Sequence, residues 1–135
     1  MTKEEFAKYL AGHVKQIAQE EKEMQKLARQ AEKKAQRIAE VLLKNYGVSK
    51  VYLFGSLAWG DFTRDSDIDL AVVGLPEELF LEVYGVAEDL ATPLKVDLVL
   101  LETAEPSLKE RALREGKRLY DIQGEKDRST EKTGG

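Results

Sequence analysis

The first third of the chain carries a hydrophobic pattern typical of one very long helix. Residues 2–45 contain no proline and a single glycine, and they are rich in Ala, Glu, Lys, Gln and Leu, which favour helix. At 1.5 Å per residue, such a helix extends roughly 60 Å, which exceeds the width of a small domain. Apolar or small residues recur along it alternately three and four positions apart, with Glu21 as an interruption. They are Leu10, Val14, Ile17, Met24, Ala28, Ala31, Ala35, Ile38 and Leu42.

This row of apolar residues predicts that the helix packs against another part of the structure. One interpretation is contact with a second chain, either in a homodimer or with a partner protein. The alternative is that only the C-terminal half of the helix packs on the rest of the domain while the remainder is solvated. The middle of the row is rich in alanine, so the sequence leaves both interpretations open.

After Gly47 the pattern changes to short apolar runs separated by turn residues, which is typical of strands. Residues 51–54, 68–73 and 96–101 form three such runs, and we expect all three to be central strands. Between the second and third runs, Pro76 suits a first helical turn, and apolar residues follow at helical spacing. These residues are Leu79, Val83, Val86 and Leu90.

The pattern of the whole chain predicts an α/β (α+β) fold with three parts. A shorter helix is expected over about 107–115, followed by a brief strand at 118–120. We therefore predict a long N-terminal helix at 1–46, a domain at 47–122 and a polar, disordered tail at 123–135.

The composition narrows the chemistry that the chain can perform. Charged residues make up 34% of the chain, and its charged beginning lacks the apolar core of a secretory signal, so we expect a cytoplasmic protein with no membrane span. There is no cysteine and one histidine, which leaves carboxylates as the natural metal ligands. A net charge of -4 argues against strong, nonspecific binding of nucleic acid.

The segment 54–70 reads F-G-S-L-A-W-G-D-F-T-R-D-S-D-I-D-L and begins with a turn that suits phosphate binding. Gly55 allows the backbone to approach a phosphate closely, and Ser56 offers a hydroxyl and a backbone N–H at the start of a helix. Glycine–serine turns are common for conformational reasons, so the turn alone is weak evidence.

Three aspartates provide stronger evidence for a functional site, because their positions favour a bound cation. Asp67 and Asp69 lie two positions apart on a predicted strand, so their carboxylates point to the same face. At about 4 Å, two such charges repel by roughly 4 kcal/mol at an effective dielectric of 20, which favours a bound cation or proton. Asp97 lies in another apolar strand, where a charge is costly unless it faces the same cation.

Convergent oxygen donors without nearby Cys or His favour Mg²⁺ or Mn²⁺ over Zn²⁺. Two ions about 3.5–4 Å apart would clamp an in-line phosphoryl displacement. We therefore expect nucleotidyl transfer, in which Asp67 and Asp69 bridge both ions. Asp97 would hold the ion on the hydroxyl side and help to remove the proton.

The runs G-S-L-A-W-G, S-D-I-D-L and V-D-L-V together resemble the polymerase-beta-type nucleotidyltransferase superfamily, in its minimal, antitoxin-like branch. The resemblance spans about residues 48–120 and implies a small mixed sheet flanked by helices. It implies that Gly55 and Ser56 form the phosphate-binding turn. It also implies the metal ligands Asp67, Asp69 and Asp97. Mg²⁺, an NTP such as ATP and a HEPN-type toxin partner are the cofactor, substrate and partner implied by the resemblance.

Trp59 departs from this motif, which usually has Arg before its second glycine, and Trp cannot supply that charge. The departure favours a second hypothesis, a non-catalytic antitoxin that neutralises a toxin by binding it. A third hypothesis, transfer to a small molecule such as an aminoglycoside, ranks lower because we see no second domain to enclose one. For Trp59, packing is the more common role. We interpret His13, Arg64 and Lys95 as solvated side chains.

Overall fold

The computed structural model describes residues 1–119, so the predicted tail and Tyr120 lie outside the described residues. Helix α1 spans Lys3–Asn45, 43 residues, which confirms the predicted long helix. It begins with a reciprocal cap, in which the Glu5 N–H donates to the Thr2 hydroxyl and the Thr2 N–H donates to the Glu5 carboxylate.

A four-stranded mixed sheet follows α1, as the resemblance implied. The elements are β1 (Lys50–Phe54), α2 (Ser56–Trp59), β2 (Asp67–Val73), α3 (Phe80–Ala91), β3 (Lys95–Leu100), α4 (Pro106–Glu115) and β4 (Lys117–Leu119). Short 3-10 turns at Glu77–Leu79 and Leu101–Thr103 precede α3 and α4. The strand order is β3-β2-β1-β4, with β2 and β3 parallel and the other two pairs antiparallel.

The expectation that three strands are central was wrong for β3, which is an edge strand. Its residues Val96 and Leu98 are nevertheless buried, because helices cover that face of the sheet. An apolar run reports burial of side chains and not the number of hydrogen-bonded neighbours, so it does not distinguish an edge strand from a central one. The predicted strand, helix, strand unit is confirmed as β2-α3-β3.

The main core lies between one face of the sheet and the helices α1 and α3. Small side chains at Ala31 and Ala35 are fully buried on α1, which lets this helix approach its neighbours closely. Ile38 and Leu42 fill the same core with larger side chains. The C-terminal half of α1 therefore packs on the domain, whereas residues 1–23 are all exposed.

The opposite face of the sheet carries the aspartates and a smaller core. Phe54 and Ala71 pack there with Leu101 and with Ala112 of α4. None of the helices within residues 1–119 is both long enough and apolar enough to cross a membrane.

Candidate active site

The connection between β1 and α2 forms a tight turn at one edge of the acidic face. Gly55 adopts φ 75° and ψ -159°, a backbone conformation that favours glycine. A Cβ atom at this position would overlap Oδ2 of Asp69. Glycine is therefore required for conformation and also for space. Helix α2 ends after one turn at Gly60, whose N–H donates to the Ser56 carbonyl over 2.9 Å.

Strand register aligns this turn with two aspartates. Phe54, the last residue of β1, lies opposite Asp69, and Asp69 lies opposite Asp97 on the neighbouring parallel strand. Asp67 begins β2 and lies opposite Lys95. Because residues two apart on a strand share a face, the fold places all three predicted aspartates on one face beside the glycine turn.

Asp69 is the most perturbed carboxyl group in this arrangement. Burial, followed by the charges of Asp97 and Asp67, raises the pKa of Asp69 to about 6. Each cause disfavours the ionised form, so a cation near Asp69 would relieve the electrostatic cost. Carboxylate oxygens are the donors that a hard divalent cation prefers, and the missing Cβ of Gly55 gives the Asp69 carboxylate its place against the turn.

Asp97 has a specific neighbour that the sequence did not indicate. The Tyr84 hydroxyl lies 3.2 Å from Oδ1 of Asp97 and 3.2 Å from the Val96 carbonyl oxygen, and can donate to either. Burial, followed by the charge of Asp97 and this hydrogen bond, raises the pKa of Tyr84. Tyr84 belongs to α3, and the apolar spacing of that helix gave no signal that its side chain reaches β3.

The aspartates share a face without being gathered around one point. Within residues 1–119, no three acidic or histidine side chains are placed so that they could hold a metal ion together. The side chain of Asp97 is instead in contact with Tyr84. The carboxylate oxygens thus suit Mg²⁺, but the three side chains do not converge on one point.

Trp59, the departure from the expected motif, lies at the surface and not in the core. It is 44% exposed, and the Arg111 guanidinium lies 4.6 Å from the ring centroid. The expectation of simple packing was therefore wrong, because α2 ends at the surface beside α4. This cation–π contact places the positive charge of the Arg111 guanidinium over the face of the Trp59 ring. No motif indicated Arg111, because the contact joins two segments that are distant in sequence.

The other charged residues considered from sequence have surface roles. Arg64 forms an ion pair of 2.8 Å with Glu23 of α1, which ties the loop before β2 to the long helix. Lys95 is exposed beside a cavity of about 320 Å³ that Asp67 also lines. His13 is exposed on α1.

The geometry agrees with similarities to known proteins. Residues 36–125 match the family model described as polymerase beta, nucleotidyltransferase. The chain is 37% identical over 75 residues to the protein adenylyltransferase MntA of Shewanella oneidensis. That match covers 54% of each chain, so the chain spans about half the length of this curated relative.

Two solved structures are similar in fold and sequence. A chain of a toxin–antitoxin crystallised with AMP-PNP has a TM-score of 0.55 and 30% identity, covering 68% of this chain and 77% of that one. A chain from the complex of tri-AMPylated Shewanella oneidensis HEPN toxin with MNT antitoxin has a TM-score of 0.52 and 27% identity, covering 72% and 77%. With the family model matching two thirds of its residues, the chain belongs to the polymerase beta nucleotidyltransferase family.

Proposed function

We propose that this protein transfers AMP from ATP to a hydroxyl group on a partner protein. The observation that carries the proposal is the row formed by Gly55, Asp69 and Asp97 across three adjacent segments. A phosphate-binding turn beside carboxylates is what transfer of a nucleoside monophosphate requires. The AMP-PNP complex and the AMPylated toxin among the similar structures support ATP as the donor.

In this proposal the aspartates have distinct roles. Asp67, Asp69 and Asp97 would together hold Mg²⁺, with two ions expected, and the metal would neutralise the triphosphate and acidify the acceptor hydroxyl. The acceptor oxygen forms a bond to the α-phosphorus, the bond from that phosphorus to its bridging oxygen breaks, and pyrophosphate leaves. Asp97 accepts the proton of the acceptor hydroxyl, because it is the most exposed of the three carboxylates.

The backbone N–H groups of the turn at Gly55 and Ser56 would bind the triphosphate. The missing Cβ of Gly55 lets the Asp69 carboxylate lie against the turn, and the N–H groups that begin α2 at Ser56 can donate to phosphate oxygens. Helix α2 has four residues, so these individual donors matter more than any helix dipole.

The partner in this proposal is a HEPN-type toxin, by similarity to the complex described above. Modification of a toxin hydroxyl would then be the means of neutralisation. ATP as donor and a toxin as acceptor place the reaction in the cytoplasm.

A second candidate function is neutralisation by binding alone. The aspartates, which are not gathered around one point within residues 1–119, favour this alternative, as does Trp59 in place of the expected Arg. The two functions differ in whether a covalent bond forms.

Mass spectrometry with the protein encoded by the neighbouring gene separates the two candidates. We expect Mg²⁺ and ATP to add one AMP or more to that partner, and Asp69→Asn to abolish the addition while preserving shape. Asp89→Asn, an exposed change of the same chemistry on α3, is the matched control and should retain transfer. A wild-type protein that suppresses toxicity without any added mass on its partner would refute the enzymatic proposal and support the binding one.

A further inference from the structure

The N-terminal half of α1 exposes an apolar stripe that the described chain leaves uncovered. This N-terminal stripe consists of Phe6, Leu10, Val14 and Ile17, which are between 44% and 63% exposed. Its spacing continues that of the buried residues farther along α1, so it lies on the same side of the helix as the core. It also lies outside residues 36–125, which match the family model. A contiguous apolar stripe on a helix is typical of a surface that packs on another helix.

Two charged residues continue the same line at its ends. With alternating steps of three and four, the line through Leu10, Val14 and Ile17 runs through positions 3, 7, 10, 14, 17 and 21, and Phe6 lies beside it. The line begins with Lys3 and ends with Glu21. These two residues are 18 positions apart, about five helical turns, so they lie on the same side as the stripe. Neither forms an ion pair within residues 1–119. Their midpoint, position 12, is also the midpoint of the exposed span 1–23.

We infer that a second copy of this chain covers the N-terminal stripe, with the two α1 helices antiparallel and Lys3 of each copy facing Glu21 of the other. Positions that face each other then add up to 24. Leu10 meets the partner's Val14, and Ala7 meets the partner's Ile17. The same surface is used twice about a two-fold axis, which is the arrangement of a closed, isologous dimer.

The charges of Lys3 and Glu21 favour an antiparallel pair of α1 helices over a parallel pair. Parallel helices in register would place Lys3 against Lys3 and Glu21 against Glu21, and like charges within a seam are unfavourable. The antiparallel pairing opposes a positive charge to a negative charge at both ends. A single sequence thus supplies both halves of the complementarity, which is why the surface fits a second copy of itself.

The length of the exposed part of α1 also fits the antiparallel pairing of two copies. In this register the partner's α1 begins opposite residue 21, just before Met24, the first residue of α1 that is partly buried by the domain. A cavity of about 410 Å³ lies there, lined in part by Ile17, Met24 and Phe62. The partner's first residues therefore meet open space between α1 and the domain.

Reciprocal charge changes in the full-length chain test the register. Sedimentation equilibrium from about 1 to 200 µM should show a monomer–dimer equilibrium for the wild type, since dimer formation follows mass action. Lys3→Glu and Glu21→Lys should each weaken the dimer by at least about tenfold, because each opposes like charges. The double variant should return the dissociation constant to within about threefold of the wild type, which is the signature of a direct pair.

Lys8→Glu is the matched control, because it makes the same charge change on an exposed residue that faces away from the stripe. It should leave the dimer intact, and circular dichroism should confirm that all variants remain helical. A double variant that dimerises no better than the single variants would overturn the pairing. A wild type that stays monomeric throughout this range would overturn the dimer, as would a stripe covered only when a different protein is added.

Disulfide trapping gives an independent reading of direction, because the chain has no cysteine of its own. Leu10→Cys mixed with Val14→Cys should form the mixed disulfide under mild oxidation. Val14→Cys alone should cross-link poorly, since antiparallel helices place it opposite Leu10. Efficient self-linking of Val14→Cys, with little mixed product, would establish a parallel dimer and overturn the inference.

Discussion

Replacing Asp69 with asparagine should abolish transfer and at the same time stabilise the protein in the absence of metal. Asp69 is half-buried, lies beside Asp67 and Asp97, and touches the turn at Gly55. Its charge is useful only when a cation is present, so without metal it opposes folding. Asparagine keeps nearly the same shape and removes the charge.

The magnitude follows from the pKa of Asp69. Burial and the two neighbouring carboxylates raise the pKa from 3.8 to about 6. At 1.36 kcal/mol for each pH unit, the difference of about 2.2 corresponds to about 3 kcal/mol between the charged and neutral forms. Water reaches the exposed half of the side chain and screens part of this energy, so we expect about 1–2 kcal/mol. For a chain of this size, that is a rise in Tm of about 3–8 °C.

The sign of the pH dependence follows from the same pKa. Because the folded pKa lies above the unfolded one, the folded chain binds more protons between pH 3.8 and about 6. The stability contributed by protonated Asp69 is therefore complete below pH 3.8 and is lost as the pH rises through about 6. Asp69→Asn carries no such dependence, so its advantage over the wild type should be largest near neutral pH and small near pH 4.

Thermal and urea unfolding in EDTA, at about pH 4 and about pH 7.5, measure this difference. Asp89→Asn is the control and should change stability by less than about 0.5 kcal/mol at both pH values. Mg²⁺ with ATP should then raise the Tm of the wild type and leave that of Asp69→Asn nearly unchanged, because a ligand stabilises only the state that binds it. A variant that is no more stable than the wild type at pH 7.5, or a difference that does not depend on pH, would refute the reasoning.

Three further predictions address the turn, the third carboxylate and the long helix. Gly55→Ala should lower the free energy of unfolding in urea by about 3 kcal/mol or more, against about 1 kcal/mol for Gly47→Ala, since both glycines have positive φ but only the first has no room for a Cβ. Tyr84→Phe removes the donor to Asp97 and should lower kcat for AMP transfer by about three- to tenfold with little change in ATP affinity, and equal losses in both would count against it. Ile38→Ala should cost about 2–5 kcal/mol in urea, because this α1 side chain is fully buried, and a cost below about 1 kcal/mol would show that α1 is separate from the core.

The elements of this fold could be predicted from sequence because local signals agree at their ends. Thr2 and Glu5 cap α1, Gly47 follows its end, and Pro93 follows the end of α3. The edge position of β3 could not be predicted. The pattern of apolar residues depends on burial by the helices and does not depend on how many strands pair with β3.

Some features of the candidate site could likewise be predicted from sequence, and others could not. The shared face of Asp67 and Asp69 follows from the two-residue period of a strand, without knowledge of the fold. The cost of a charge in an apolar strand and the family resemblance both predicted that Asp97 joins them, but its position opposite Asp69 is set by the parallel register of β2 and β3, which the apolar pattern does not specify. The contacts of Tyr84 and Arg111 join side chains from separate elements, and neither residue stands in a motif. Such contacts are set by tertiary packing, which sequence spacing does not encode.

The exposure of the N-terminal half of α1 is a matter of size and not of hydrophobic pattern. The same three-and-four spacing runs through both halves of the helix, so the pattern alone does not say which half is covered. A domain of about 75 residues has a radius of gyration near 11 Å and is therefore about 30 Å across. At 1.5 Å per residue it can cover about 20 residues of one helix. A helix of 43 residues must then extend about 20 residues beyond it, which agrees with the exposed span of 1–23. An apolar stripe of that length therefore lies beyond the part of α1 that this domain covers, which is the surface that the proposed antiparallel pairing uses.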